Sequence, residues 1–324
     1  MSKFLFVIPP FWGHINPTLS IGGTLLERGH DVAWAGMTKL NMKLFPSGAK
    51  YFYMEKTESK NKKEMERIIL LQNKGANMPA LEALKLGLED TYIPFARMMI
   101  DEFNEIVEQY KPDVIVNDCI TFVGGLSAQL KNIPFATITP ITPNALNDPQ
   151  SAPKVTEWVH KSIIDLQRFV GIDGDEEFVQ SKLLNMYYTS QLFCGLDNAS
   201  VPPYMKFIGA LTGRPDNTPF DWKKLDAMGD HPKIYISIGT VLVQSRKDFF
   251  SRMIEALKDK PVTVIAAADP NILDEWPENF IVQGYVPQSE LLKHIDVVIG
   301  HGGLNTTCDT FINGIPMLIK IGRA

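Results

Sequence analysis

Two residues in the first part of the chain could together move a proton. His14 follows an apolar run, Phe4-Leu5-Phe6-Val7-Ile8, and stands just before Asn16-Pro17. An imidazole titrates near neutrality, so a histidine in a strand-to-helix loop can serve as a general base. A helix N-terminus beside it favours the neutral, base-competent form. Asp118 follows a second expected strand, Val114-Ile115-Val116-Asn117. In a parallel sheet both residues would lie at carboxyl ends of strands, on the same side of the sheet. A carboxylate bonded to the far imidazole nitrogen fixes the tautomer and stabilises the protonated ring. Such a pair suits taking the proton from an acceptor hydroxyl. Each residue also has a plain structural reading, His14 as a loop residue and Asp118 as the N-cap of the next helix.

A second constellation lies in the last third. Ser237-Ile238-Gly239-Thr240 ends an apolar run, where bare backbone and a hydroxyl can approach a phosphate. Further on come Gly284-Tyr285-Val286-Pro287-Gln288 and His301-Gly302-Gly303-Leu304-Asn305-Thr306-Thr307-Cys308-Asp309. The glycines permit close approach, and a helix N-terminus offers N–H groups to an anion. His301, Asn305 and Thr306 add side-chain donors. Together these describe a diphosphate cradle. There is no Gly-x-Gly-x-x-Gly and no Walker lysine, so neither a nicotinamide dehydrogenase nor a P-loop enzyme is supported.

The elements that must hold these residues alternate between strands and helices. Phe4–Ile8, Val32–Ala35, Asp113–Asn117 and Phe135–Ile138 read as buried parallel strands. Asn16-Pro17 reads as N-cap and first residue of the helix after the first strand, and further helices are expected over 92–110 and Phe122–Leu130. Residues 55–75 carry mixed charge and read as a solvated helix or loop. A peripheral membrane contact through Ile68-Ile69-Leu70-Leu71 is the other reading of that segment. The stretch 141–195 shows helical patterns at Val155–His160, Ile163–Phe169 and Glu177–Met186 and no clear strand; it shapes a pocket or simply packs. Turn signals at Val201-Pro202-Pro203, Gly213-Arg214-Pro215 and Asp230-His231-Pro232 mark a linker. Beyond it, strands are expected at Ile234–Ile238, Val262–Ile265, Phe280–Val282, Val297–Ile299 and Met317–Ile321, with helices at Asp248–Leu257, from Ser289 and from Leu304. The class is α/β, with two Rossmann-like doubly wound lobes, the second incomplete. Residues 1–205 form the first lobe, 206–232 the linker and 233–324 the partial second lobe. The chain stops right after its last strand, and Gly322-Arg323-Ala324 do not read as a natural finish.

Composition sets the remaining bounds. The chain has 324 residues, 45% hydrophobic and 21% charged, enough for two domains with large cores. A formal net charge of -5 argues against a nucleic-acid partner. The three cysteines, Cys119, Cys194 and Cys308, are far apart and form no pair or Cys/His cluster with zinc spacing. They read as reduced thiols of a cytoplasmic protein. The N-terminal apolar run is too short for a signal peptide, and no run of about 18 apolar residues predicts a membrane span.

Gly284–Gln288 paired with His301–Asp309 resembles the donor-binding signature of the family 1 GT-B glycosyltransferases. Pro9–Pro17 with Arg28-Gly29-His30, and Val116-Asn117-Asp118, are similar to the same family, above all to its bacterial macrolide-type and carotenoid-type members. The resemblance implies a first lobe that takes the acceptor and a second that takes a nucleotide sugar. His14 would be the catalytic base and Asp118 its partner. Tyr285 would stack on uracil, with Val286 pairing to the ring's edge through its backbone. Gln288 and Asp309 would hold the ribose hydroxyls, and Gly239, Thr240, His301, Gly303, Asn305 and Thr306 would meet the diphosphate. The implied chemistry is inverting transfer of a hexose from a UDP-sugar, UDP-glucose foremost, to a hydroxyl of a lipophilic small molecule. The UDP-sugar is a co-substrate and no cofactor is expected. No metal is implied, because a helix N-terminus and side chains take up the leaving-group charge. Phe11, Trp12, Phe95, Met98 and Phe122 are candidates for an acceptor pocket, each also readable as core.

The sequence departs from the family at Asp309, where plant members have glutamate, and at Tyr285, where they have tryptophan. Family members also continue past Met317–Ile321 with a sugar-gripping Asp-Gln or Glu-Gln pair. A chain that stops at Ala324 is expected to bind donor poorly, turn over slowly and be less stable. Two other functions remain open: a non-catalytic nucleotide-sugar or ligand-binding protein, and a GT-B nucleotide-sugar epimerase.

Overall fold

The computed structural model describes residues 1–75, 78–143, 152–196, 201–210, 218–238 and 246–320. Gly239, Thr240 and residues 322–324 lie outside the described residues. The chain divides into two compact units, one of residues 1–71 and 80–211 and one of 72–79 and 212–324.

The first unit runs β1 (Lys3–Val7), α1 (Trp12–Glu27), β2 (Asp31–Gly36), β3 (Lys50–Tyr53), α2 (Glu55–Gly75, of which residues 72–75 are grouped with the second unit), α3 (Ala80–Gly87), α4 (Ile93–Tyr110), β4 (Val114–Asp118), α5 (Val123–Lys131), β5 (Phe135–Thr139), α6 (Pro153–Phe169), β6 (Asn185–Tyr187) and β7 (Met205–Phe207). A π-helical turn, Leu88–Tyr92, joins α3 to α4. The seven strands form a parallel sheet in the order β3-β2-β1-β4-β5-β6-β7. β1 and β4 are neighbours, with Val7 opposite Asn117, and the chain winds outward from them in opposite directions. That reversal is the switch point at which open α/β sheets bind ligands. One face of the sheet is covered by a core built on Leu5, Val7, Phe95, Phe103 and Leu126, the other by one built on Phe6, Ile8, Trp34 and Tyr188. Burial on both faces explains the apolar runs Phe4–Val7 in β1 and Val114–Val116 in β4.

The first helix begins earlier than Asn16-Pro17 predicts. Phe11 is extended, and its carbonyl accepts from His14 N at 2.9 Å and Ile15 N at 3.0 Å, closing a turn that already contains His14. Pro17 is carried inside α1, at the cost of one rung of the helical ladder. Two side-chain bonds hold this stretch: Trp34 Nε1 donates to Thr18 Oγ1 at 2.9 Å, and Tyr188 OH donates to Pro17 O at 3.2 Å.

The helix expected at Glu177–Met186 is not there. Ser181 N donates to Thr137 Oγ1 at 2.8 Å and Ser181 Oγ to Phe135 O at 2.6 Å, while Leu183 N and Leu184 N donate back to Ser181 Oγ at 3.0 and 3.2 Å. Serine bonds to nearby backbone compete with the helical ladder and lay the segment along β5. It then enters β6, a strand the sequence did not announce. Residues 55–75 are helical, with non-helical geometry at Asn61. Of the apolar quartet in α2, Ile68 is buried in the core, whereas Ile69 and Leu70 are exposed. No helix among the described residues is long and apolar enough to cross a membrane.

The second unit runs α7 (Trp222–Ala227), β8 (Lys233–Ser237), α8 (Arg246–Leu257), β9 (Thr263–Ala267), β10 (Phe280–Gln283), α9 (Gln288–Leu291), β11 (Val297–Gly300), α10 (Leu304–Ile312) and β12 (Met317–Ile319). Its sheet is parallel in the order β10-β9-β8-β11-β12, with Ser237 opposite Gly300 at its own switch point. Helix α7 falls within 206–232, and its Leu225 packs among Tyr235, Leu291 and Val298 in the second unit's core.

Candidate active site

In the first unit, β1 and β4 deliver His14 and Asp118 to the same end of the sheet. Asp118 is the last residue of β4, and His14 lies in the first turn of α1. His14 Nδ1 is 2.9 Å from Asp118 Oδ2 and 3.1 Å from Oδ1. The carboxylate is fully buried and the imidazole retains 16% exposure, so only the histidine reaches solvent. A buried carboxylate beside Nδ1 makes that nitrogen the donor, which leaves Nε2 with its lone pair. This is the tautomer a base needs.

The loop after β4 holds Asp118 still. Its Oδ1 accepts from Ile120 N at 3.0 Å, and Thr121 Oγ1 donates to Asp118 O at 2.9 Å and lies 2.8 Å from Asn117 Oδ1. Asn117 Nδ2 donates to Val179 O at 3.0 Å. The loop closes through a γ-turn in which Val123 N donates to Thr121 O, with Phe122 at φ 33° and ψ -38°. A non-glycine residue in that region stores strain. Helix α5 then packs close because its second and third residues are glycines: a Cβ on Gly124 would overlap Asn117 Oδ1, and one on Gly125 the Phe178 carbonyl.

Aromatic rings line this end of the unit. Phe11 meets the His14 ring edge-on at 6.3 Å and lies 6.2 Å from Phe95, while Tyr92, from the π-helical turn, meets Phe122 at 5.7 Å. Of the five residues nominated for an acceptor pocket, Phe95 and Phe122 sit in one core cluster with Phe11 and Met98 against it. Trp12 packs into the cluster on the opposite face. Burial drives the Tyr92 hydroxyl well above the ordinary tyrosine range, and the charge of Asp118 adds to it. Cys119, which the sequence offered only as a reduced thiol, lies beside the pair. Burial first, and then Asp118, push its thiol well up.

In the second unit, Gln288 and Asp309 come together across twenty-one positions of sequence, Gln288 Nε2 donating to Asp309 Oδ2 at 2.7 Å. Tyr235 OH and Thr306 Oγ1 each lie 3.3 Å from Gln288 Oε1 and orient the amide. Tyr235 was missed in the sequence because a tyrosine in an apolar strand reads as core. Val286 is buried, whereas the Tyr285 side chain next to it is 50% exposed. His301 follows β11, Gly302 adopts φ 80°, and Gly303 caps α10, whose first turn carries Asn305 and Thr306. The His301 ring fills the space beside Gly303, and burial lowers its pKa against the opposing pull of the Ser237 backbone. His301 thus stands at the carboxyl end of β11, beside that of β8, while Tyr285, Val286 and Gln288 follow β10. Gly239 and Thr240, expected there too, are outside the described residues.

The chain resembles known proteins in family, in sequence and in fold. The family model described as UDP-glucoronosyl and UDP-glucosyl transferase matches residues 183–320. Among curated proteins, the NDP-glycosyltransferase YjiC of Bacillus subtilis (strain 168) is 23% identical over 96% of this chain and 76% of its own length. The 4'-demethylrebeccamycin synthase of Lentzea aerocolonigenes is also 23% identical, over 98% of this chain and 82% of its own. Among solved structures, the kitacinnamycin glycotransferase superposes with a TM-score of 0.73 at 20% identity, covering 100% of this chain and 81% of that one.

Proposed function

We propose that this chain, which belongs to the family 1 GT-B glycosyltransferases, transfers a hexosyl group from a UDP-sugar to a hydroxyl of a lipophilic small molecule with inversion and without a metal. The observation that carries the reading is the 2.9 Å contact between His14 Nδ1 and the buried Asp118 carboxylate. His14 Nε2 takes the proton of the acceptor hydroxyl as its oxygen attacks the anomeric carbon. The bond from that carbon to the diphosphate oxygen breaks, and its electron pair leaves with UDP. Asp118 keeps Nδ1 protonated and stabilises the imidazolium that forms.

In the second unit, Tyr285 offers an exposed ring for the uracil base. The Gln288–Asp309 pair suits a ribose diol. His301 and the α10 N-terminus, with Asn305 and Thr306, suit the diphosphate. Gly239 and Thr240 are proposed for the same anion. Phe11, beside His14, suits an apolar acceptor. UDP-glucose is the first donor to try.

The test is UDP release from UDP-glucose with a panel of phenolic and macrolide acceptors, followed by the anomeric configuration of the product. Inverted product from wild type, and none from His14→Ala, supports the reading. Retained configuration, or sugar rearranged without acceptor, contradicts it.

A further inference from the structure

An imidazole nitrogen of His14, a carboxylate oxygen of Asp118 and the Cys119 sulfur all lie within 4.8 Å of one another. They come from two elements, the first turn of α1 and the end of β4 with the residue that follows it. Cys119 is a free thiol, 3% exposed, anchored by its own N–H to Ile138 O at 2.9 Å. Proton transfer uses His14 and Asp118 and gives the sulfur no part, and the thiol's side-chain hydrogen bond is to Thr139. Of the three, only His14 keeps appreciable exposure, at 16% of its side chain.

We propose that His14, Asp118 and Cys119 form a site for one borderline-soft divalent cation, Zn²⁺ foremost, whose binding inhibits the enzyme. The donor set is one nitrogen, one oxygen and one sulfur. Those are zinc's ligands, held at about 2.0–2.3 Å with a fourth position left for water. Mg²⁺ demands about six oxygens in octahedral array and is a poor match. In a tetrahedral site neighbouring ligand atoms stand about 3.3–3.8 Å apart. The His14–Asp118 contact of 2.9 Å therefore opens by a few tenths of an ångström.

The proton balance gives the consequence. The nitrogen facing Asp118 is Nδ1, and a cation there takes its lone pair. The proton that Nδ1 carried moves to Nε2, and the Cys119 thiol proton goes to solvent, one released per cation bound. Nε2 then has no lone pair for an acceptor hydroxyl. The inhibition rests on the base role proposed for His14; the binding does not.

The two parts are tested separately. The full chain, stripped with chelator, is titrated with CoCl₂ as a spectroscopic stand-in for zinc. A near-ultraviolet thiolate-to-cobalt charge-transfer band is expected, saturating at one equivalent and displaced by ZnCl₂. It should vanish in Cys119→Ser, which keeps the size of the side chain, and persist when Cys194 and Cys308 are both changed to alanine. In His14→Ala, cobalt affinity should fall at least tenfold. No band, or a band that survives Cys119→Ser, overturns the site. The transfer rate is then measured against ZnCl₂ and MgCl₂, each variant normalised to its own metal-free rate. Zinc should inhibit wild type reversibly, with the half-inhibiting concentration at least tenfold higher in Cys119→Ser and no effect of magnesium. Stoichiometric cobalt binding with no zinc inhibition overturns the inhibitory role and leaves the site standing.

Discussion

The His301 imidazole occupies the space where a side chain on Gly303 would go: a Cβ there would lie 2.5 Å from His301 Nε2. The glycine thus serves the histidine as much as any ligand. Gly303→Ala is expected to push the ring out of place and weaken UDP binding by about tenfold or more, the scale of losing one charge-assisted hydrogen bond. Calorimetric titration of Gly303→Ala beside His301→Ala checks this. The two variants should lose similar affinity, and wild-type affinity in Gly303→Ala would separate the two residues.

A second pair of glycines separates close packing from mere permissiveness. Gly125 in α5 leaves no room for a Cβ against the Phe178 carbonyl, whereas a Cβ on Gly23 in α1 would rest 3.4 Å from Pro46 Cγ. Gly125→Ala should destabilise the fold by about 2–3 kcal/mol through overpacking. Gly23→Ala lies within a helix and should stabilise it by up to about 1 kcal/mol. Urea midpoints of the two variants, moving in opposite directions from wild type, are the expected result.

His301 also makes stability depend on pH. Burial lowers its folded pKa below the ordinary histidine value. On acidification the unfolded chain takes up this proton first, so the unfolded state binds more protons and stability falls. The contribution is fully present above about pH 6.5, the ordinary histidine value, and is lost as pH falls from there through the lowered folded value. Urea unfolding between pH 8 and pH 5.5 should show a shallower decline in His301→Gln than in wild type. Equal slopes would contradict the burial of this ring.

Much of this arrangement was legible in the sequence. Parallel strands place their C-terminal residues on one side of a sheet, so Asp118 after Val114–Asn117 and His14 after Phe4–Ile8 had to come near each other once β1 and β4 paired. The same logic brings His301 and Ser237 to one edge. What escaped depends on contacts without periodicity. The Ser181 bonds that cancel the helix at Glu177–Met186 come from one side chain, and the early start of α1 comes from the Phe11 carbonyl. Cys119 beside His14 spans distant parts of the chain, beyond the reach of any local zinc spacing. Its one local signal was adjacency to Asp118.

The pairing of His14 with Asp118 as a single proton-transfer unit is tested most directly by a double-mutant cycle on the transfer rate. His14→Ala should lower kcat by about 10²–10⁴-fold, the range for loss of a general base. On the proposed roles, in which Asp118 acts through His14, Asp118→Ala should cost nearly as much. The double variant should then be no slower than His14→Ala alone. Losses that multiply in the double variant, or a His14→Ala enzyme that keeps the wild-type rate, would contradict the pairing.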